Sequence, residues 1–120
     1  MALTVEWAMA ELLRNPSVMA KLRTEIKGAV GSKEEAVDKD DMAGLRYLQA
    51  VVKEAMRLHP VVPVMLPHKA VEDRVEIGGY VVPRGCTVIF NMWAIMRDPV
   101  AWELPDEFVP EWFMDREFEF

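Results

Sequence analysis

The sequence predicts an α+β chain: a helical part over residues 1–60, a small antiparallel β-sheet part over 61–92 and an irregular tail over 93–120. Three observations carry this. Leu45, Leu48, Val52, Ala55 and Met56 recur at helical spacing, and Pro60 ends that helix by driving the preceding residue towards extended geometry. Gly78-Gly79 separates Val75-Glu76-Ile77 from Tyr80-Val81-Val82, which reads as a hairpin because both glycines accept positive φ. Pro105 and Pro110 then forbid long regular structure in the tail.

In chain order, Leu3 to Leu13 is apolar nearly all round, interrupted by Glu6 and Glu11, a pattern suited to a helix inside a larger assembly. Asn15 is placed to cap a second helix, with Pro16 at its first position. Val18, Met19, Leu22, Ile26 and Ala29 give that helix an apolar face, and Gly31 closes it. Ser32 to Asp41 is a charged loop, with Asp40 or Asp41 a candidate cap for a short turn leading into the Leu45–Leu58 helix. After Pro60, the valines 61, 62 and 64 are interleaved with Pro63 and Pro67, which argues for extended chain or an edge strand. Pro83-Arg84-Gly85 makes a turn, and Cys86 to Phe90 reads as a third strand. Asp98-Pro99 is expected to begin a short helix through Trp102.

Composition narrows the function classes. Apolar residues make up 52 % of the chain. With glycine counted in place of tyrosine, the share exceeds the roughly 45–50 % of ordinary soluble domains. A short chain with that excess is expected to be part of something larger, or to need a partner surface, and to be marginally stable alone. The net charge of −6 argues against a nucleic-acid footprint. Eight acids fall within residues 98–120 against Arg116 alone, which reads as a solvated face. No apolar run reaches the roughly 18–20 residues of a membrane span, and Met1 to Arg14 lacks the basic leader of a signal peptide. Cys86, the single cysteine, excludes an internal disulfide and is expected to be a buried core thiol.

The chemistry-bearing candidates are few. Glu54 and Arg57, three apart, stand side by side on one helix. Taken alone they read as a surface pair contributing about 0.2–0.5 kcal/mol. Arg97 and Asp98 read as capping and turn residues, and His59 as a helix-end residue without a chemical role.

Four stretches, in order over nearly the whole chain, resemble the cytochrome P450 haem-thiolate monooxygenases, especially their plant microsomal branch. They are Thr4 to Pro16, similar to the end of the family's long central helix; Glu54-Ala55-Met56-Arg57 with Leu58-His59-Pro60, similar to its Glu-x-x-Arg helix; Trp93 to Pro99; and Phe108 to Phe113. The resemblance implies an α+β, mainly helical slice of the cytochrome P450 fold, ending in an irregular stretch called the meander. It implies a buried Glu54–Arg57 pair bound to an arginine of the meander. Trp112 stands where that arginine is expected, so the third member is broken, although the indole offers a face on which Arg57 could stack. By the same resemblance, Val61, Val62, Pro63 and Val64 line a substrate pocket, and His68 reaches a haem propionate.

The family's activity is insertion of one oxygen atom of O2 into an apolar small molecule. Its cofactor is haem, its electron donor a flavoprotein NADPH reductase, and its site the cytosolic face of the endoplasmic reticulum membrane. The thiolate loop, Phe-x-x-Gly-x-Arg-x-Cys-x-Gly, and the oxygen-handling acid–Thr motif are not among these residues. The chain is therefore expected to be an internal fragment, inactive in isolation, cytosolic or unstable, with no catalytic residue and no metal ligand of its own. The alternative is the non-catalytic product of a decayed gene, acting at most as an interaction module.

Overall fold

The structure, a computed structural model, describes residues 2–31 and 43–115. Three helices carry the core: α1 (Ala2–Arg14), α2 (Pro16–Val30) and α3 (Arg46–Leu58). Leu12 of α1, Val18 and Leu22 of α2, and Tyr47, Val51, Ala55 and Leu58 of α3 meet in one buried cluster with Phe108. A second cluster joins Ala50 on α3 to Trp102 and Phe113. The buried stripe of α3 includes Glu54 and Arg57, while Val52 and Met56 are exposed. The face read from the apolar period is thus turned about the helix axis, because a charged pair occupies positions that apolar side chains would otherwise hold.

Local chemistry at the helix ends differs from expectation at Asn15. Pro16 opens α2, but the side chain of Asn15 makes no cap there. Its Nδ2 donates instead to the Glu11 carbonyl at 2.9 Å, beside its own backbone N–H, so Asn15 closes α1. The start of α3 is capped from a distance. Glu25 of α2 accepts the N–H groups of Tyr47 at 2.8 Å and Leu48 at 2.9 Å, two first-turn donors with no partner inside the helix. The proposed cap at Asp40 or Asp41 lies outside the described residues.

The β part divides into two antiparallel ribbons. β2 (Arg74–Ile77) and β3 (Tyr80–Pro83) pair from Arg74↔Pro83 to Ile77↔Tyr80, around Gly78 and Gly79 at φ 57° and 83°. β1 (His68–Lys69) and β4 (Thr87–Val88) form the other, in register His68↔Val88. The stretch read as a third strand therefore contributes only Thr87–Val88, and pairs with β1. Cys86 is exposed, which corrects its reading as core. Two-stranded ribbons carry no second layer, so nothing covers the thiol. Val61 to Val64 form bends, tied by Met65 N–H to the Phe90 carbonyl (2.9 Å) and Trp93 N–H to the Pro63 carbonyl (3.0 Å).

The tail holds two short helices, α4 (Met92–Ile95) and α5 (Trp112–Asp115). α4 is capped by Asn91, whose Oδ1 accepts the Ala94 N–H at 3.0 Å. Residues 98–102 make one turn, not a helix. The Asp98 carbonyl accepts from Ala101 and Trp102, while its Oδ1 takes the Val100 N–H at 2.9 Å. That side-chain bond offers the backbone an alternative to helix continuation. Among the described residues, no helix is long and apolar enough to cross a membrane.

Candidate functional site

α3 presents Glu54 and Arg57 on its buried side, 0 % and 1 % exposed. Arg57 Nε donates to Glu54 Oε2 at 2.7 Å and Nη2 to Oε1 at 2.8 Å, a bidentate ion pair. Nη1 donates to the carbonyls of Met96 and Pro105, both at 2.8 Å, and Nη2 to that of Glu107 at 2.9 Å. All five guanidinium N–H donors are thereby used. The Val109 N–H completes the set, donating to Glu54 Oε1 at 2.8 Å. Trp102 lies against the guanidinium, its ring centre 4.7 Å from Cζ.

The pair is therefore not a surface pair. It is the centre about which residues 96–109 are wound, and its hydrogen bonds to them all reach backbone groups. Burial pushes the Glu54 carboxyl above its usual range; the bonds from Arg57 and Val109 pull it back without overcoming that. Removing one partner of such a pair costs about 3–5 kcal/mol, an order of magnitude above the exposed case.

It is Trp102 that lies over Arg57. Trp112 meets the Trp102 ring edge-on, with centroids 6.4 Å apart at 81°. Arg97 closes the other end of α3, donating from Nη2 to the Leu58 carbonyl at 2.6 Å, with Nε 3.3 Å from Asp106 and its guanidinium over Trp93. His59 is more than a helix end. Its ring stacks on Trp7 at 4.0 Å, and its Nε2 lies 2.9 Å from Glu11 Oε1, fastening α3 to α1.

Glu111, next to Trp112, was not singled out by sequence reasoning. Its Oε1 accepts from Lys21 Nζ of α2 at 2.5 Å and from the Tyr47 hydroxyl of α3 at 3.1 Å. Burial raises the Glu111 carboxyl, but the bonds from Lys21 and Tyr47 outweigh it and hold the group below its usual range. Burial, then the Glu111 carboxylate, push the Tyr47 phenol well up. Nothing in residue type marks Glu111; only its spacing from Phe108 and Pro110 could have drawn attention to it.

Val61, Val62, Pro63 and Val64 lie on the exposed bend, and His68 is exposed on β1. The structure does not bring them into the cluster around Arg57.

A buried ion pair that fastens an irregular segment to a helix defines a structural lock of a larger fold. The chain belongs to the cytochrome P450 family, whose model matches residues 1–119. It is 67 % identical over 116 residues to ent-cassadiene C11-alpha-hydroxylase 1 of Oryza sativa subsp. japonica, and 51 % identical to ferruginol synthase 1 of Rosmarinus officinalis. In each case the match covers 97 % of this chain and 23 % of the relative, so the chain spans about a quarter of their length. A zebrafish cytochrome P450 structure with abiraterone superposes with a TM-score of 0.83 at 38 % identity, over 93 % of this chain and 27 % of that one.

Haem is the cofactor of this family, and the residues described do not fit an iron–thiolate centre. Cys86 is exposed at a ribbon turn, outside the described helices. Among the described residues no group of three or more histidine, cysteine or acidic side chains is placed to hold a metal ion.

Proposed function

We propose that these residues supply the Glu-x-x-Arg helix and meander of a haem-dependent monooxygenase, and that the isolated 120-residue chain does not catalyse the reaction. The observation that carries this is the use of all five Arg57 donors on Glu54 and the 96–107 backbone. A guanidinium saturated in this way has no capacity left for substrate; its role is to hold the meander in one path. The whole enzyme would insert one oxygen atom of O2 into an apolar small molecule, as the name of the rice hydroxylase suggests. Val61, Val62, Pro63 and Val64 would line its pocket, and their exposure leaves them accessible to a ligand. His68 would reach a haem propionate. A flavoprotein NADPH reductase would supply electrons at the cytosolic face of the endoplasmic reticulum membrane.

A second reading has one observation in its favour: Trp112 replaces the arginine that the resemblance calls for. On that reading the chain is the product of a decayed gene, and any remaining role is as an interaction module. The test is haem titration of the purified chain, then reduction under carbon monoxide. No thiolate-type Soret band is expected. Its appearance, or hydroxylation by this chain with a reductase present, overturns the assignment of a scaffold role.

A further inference from the structure

Where the resemblance calls for an arginine, Trp112 brings no positive charge to Glu54, yet residues 105–109 remain docked on the Glu54–Arg57 pair. Those bonds hold the backbone of that segment, and a further side-chain contact anchors its end at Glu111. We propose that Glu111, gripped by Lys21 and Tyr47, is a positioning residue that docks the 105–109 segment on the Glu54–Arg57 pair, in the role expected of an arginine at 112.

Connectivity carries the proposal. Glu111 bonds to α2 and α3 at once, across 90 and 64 residues of sequence, which pins one end of the segment to two core helices. Two residues back, the Val109 N–H binds Glu54 at 2.8 Å. Between them stands Pro110, among the most fully buried side chains and with its φ locked by the ring. Glu111, Pro110 and Val109 thus form a stiff link, and a shift of Glu111 is passed to the amide that reports to Glu54. Charge also balances. Glu54 is matched by Arg57 and Glu111 by Lys21, so no second cation is needed beside Glu54.

Lys21 and Glu111 have side chains 60 % and 40 % exposed, and pairs so exposed add little to global stability. The effect is therefore local, and so is its readout. Amide hydrogen exchange is followed by NMR in the full 120-residue chain and its E111Q, Y47F, K21M and K21R variants. In E111Q the Val109 N–H is expected to exchange about five- to tenfold faster, the scale of one ordinary intramolecular hydrogen bond. Y47F and K21M give smaller increases at the same amide, and K21R keeps wild-type protection. The Leu22 and Val51 amides, in the cores of α2 and α3, change less than about twofold.

Unchanged Val109 protection in E111Q overturns the proposal. So does a rise shared equally by Leu22 and Val51, which would mean loss of global stability alone. Should E111Q not fold, Y47F keeps the ring in place and carries the same comparison. The inference rests on the proposed scaffold role only in taking residues 105–109 as the segment to be held. Because exchange is read without haem, a negative result here and a Soret band there are separate failures.

Discussion

Replacing Arg57 with alanine removes both charged donors from Glu54 and leaves the carbonyls of Met96, Pro105 and Glu107 without theirs. Summing five charge-assisted bonds at about 1.5–3 kcal/mol each gives more than the whole stability of many domains. That sum is too large, because the three carbonyls belong to irregular segments that water reaches once the side chain is gone. What water does not readily reach is Glu54, fully buried on α3. The cost is therefore that of a broken buried pair, about 3–5 kcal/mol. Against the roughly 5–15 kcal/mol of a folded domain, with Val61, Val64, Leu66 and Val100 left half or more exposed, this consumes much of the margin.

Urea unfolding followed by far-UV circular dichroism measures it. With a slope of about 1.5 kcal/mol per molar, the midpoint of R57A falls by about 2–3 M, or the folded baseline disappears. R57K keeps the charge but not the planar fork, and falls between the two. The sign of the pH effect comes from Glu54. Its folded pKa is raised, so ionised Glu54 is a cost that sets in as pH rises from the usual 4.5 through the folded value. The R57A deficit accordingly shrinks at acid pH, where the orphaned carboxyl takes a proton. A loss below about 0.5 kcal/mol, as exposed pairs give, would refute the claim that the pair organises the meander.

Two further outcomes test the contacts around the pair. E25A removes the remote cap of α3 and is expected to cost about 1–2 kcal/mol by urea unfolding, with Tyr47 and Leu48 amide exchange the first to accelerate; E25Q, retaining one acceptor oxygen, costs about half as much. Glu111 faces Lys21 from α2 and Tyr47 from α3, with Glu54 nearby, and its folded pKa is lowered. Its contribution is present above the usual 4.5 and is lost as pH falls through the folded value, so the difference in stability between wild type and E111Q, taken across an acid titration, closes below about pH 4.5.

What the sequence showed was local. Glu54 and Arg57 are three apart, Gly78-Gly79 needs positive φ at both residues, and Pro16 and Pro60 bound their helices; each is visible because cause and effect lie within a few residues. The burial of the pair was not visible in its spacing; only the resemblance to the family implied it. The pair's partners are the backbone groups of residues 96, 105, 107 and 109, which carry no side-chain signature. Glu25 was hidden for the same reason, capping a helix 22 residues downstream. Asn15 and Asp98 misled because short polar side chains bond whichever backbone group is nearest, so the same residue type opens one helix and closes or pre-empts another. Cys86 was read as core from the habits of cysteine, although the ribbons beside it have only one layer.

Backbone partners also explain how the segment accommodates Trp112. A lock built from side-chain pairs fails when one residue type changes. A lock that closes on carbonyls and an amide depends on the path of the chain, not on the identity of its side chains. Here that path is constrained by Pro105, whose carbonyl accepts from Arg57, and by Pro110, buried between Val109 and Glu111. Between those two prolines Phe108 is held by the core cluster, while the bonds to the pair run only through the carbonyls of 105 and 107 and the amide of 109. With every Arg57 donor already engaged, an arginine at 112 would add a charge without relieving an unmet bond on that guanidinium. The tryptophan instead extends the aromatic packing around Trp102, on the face that shields the pair.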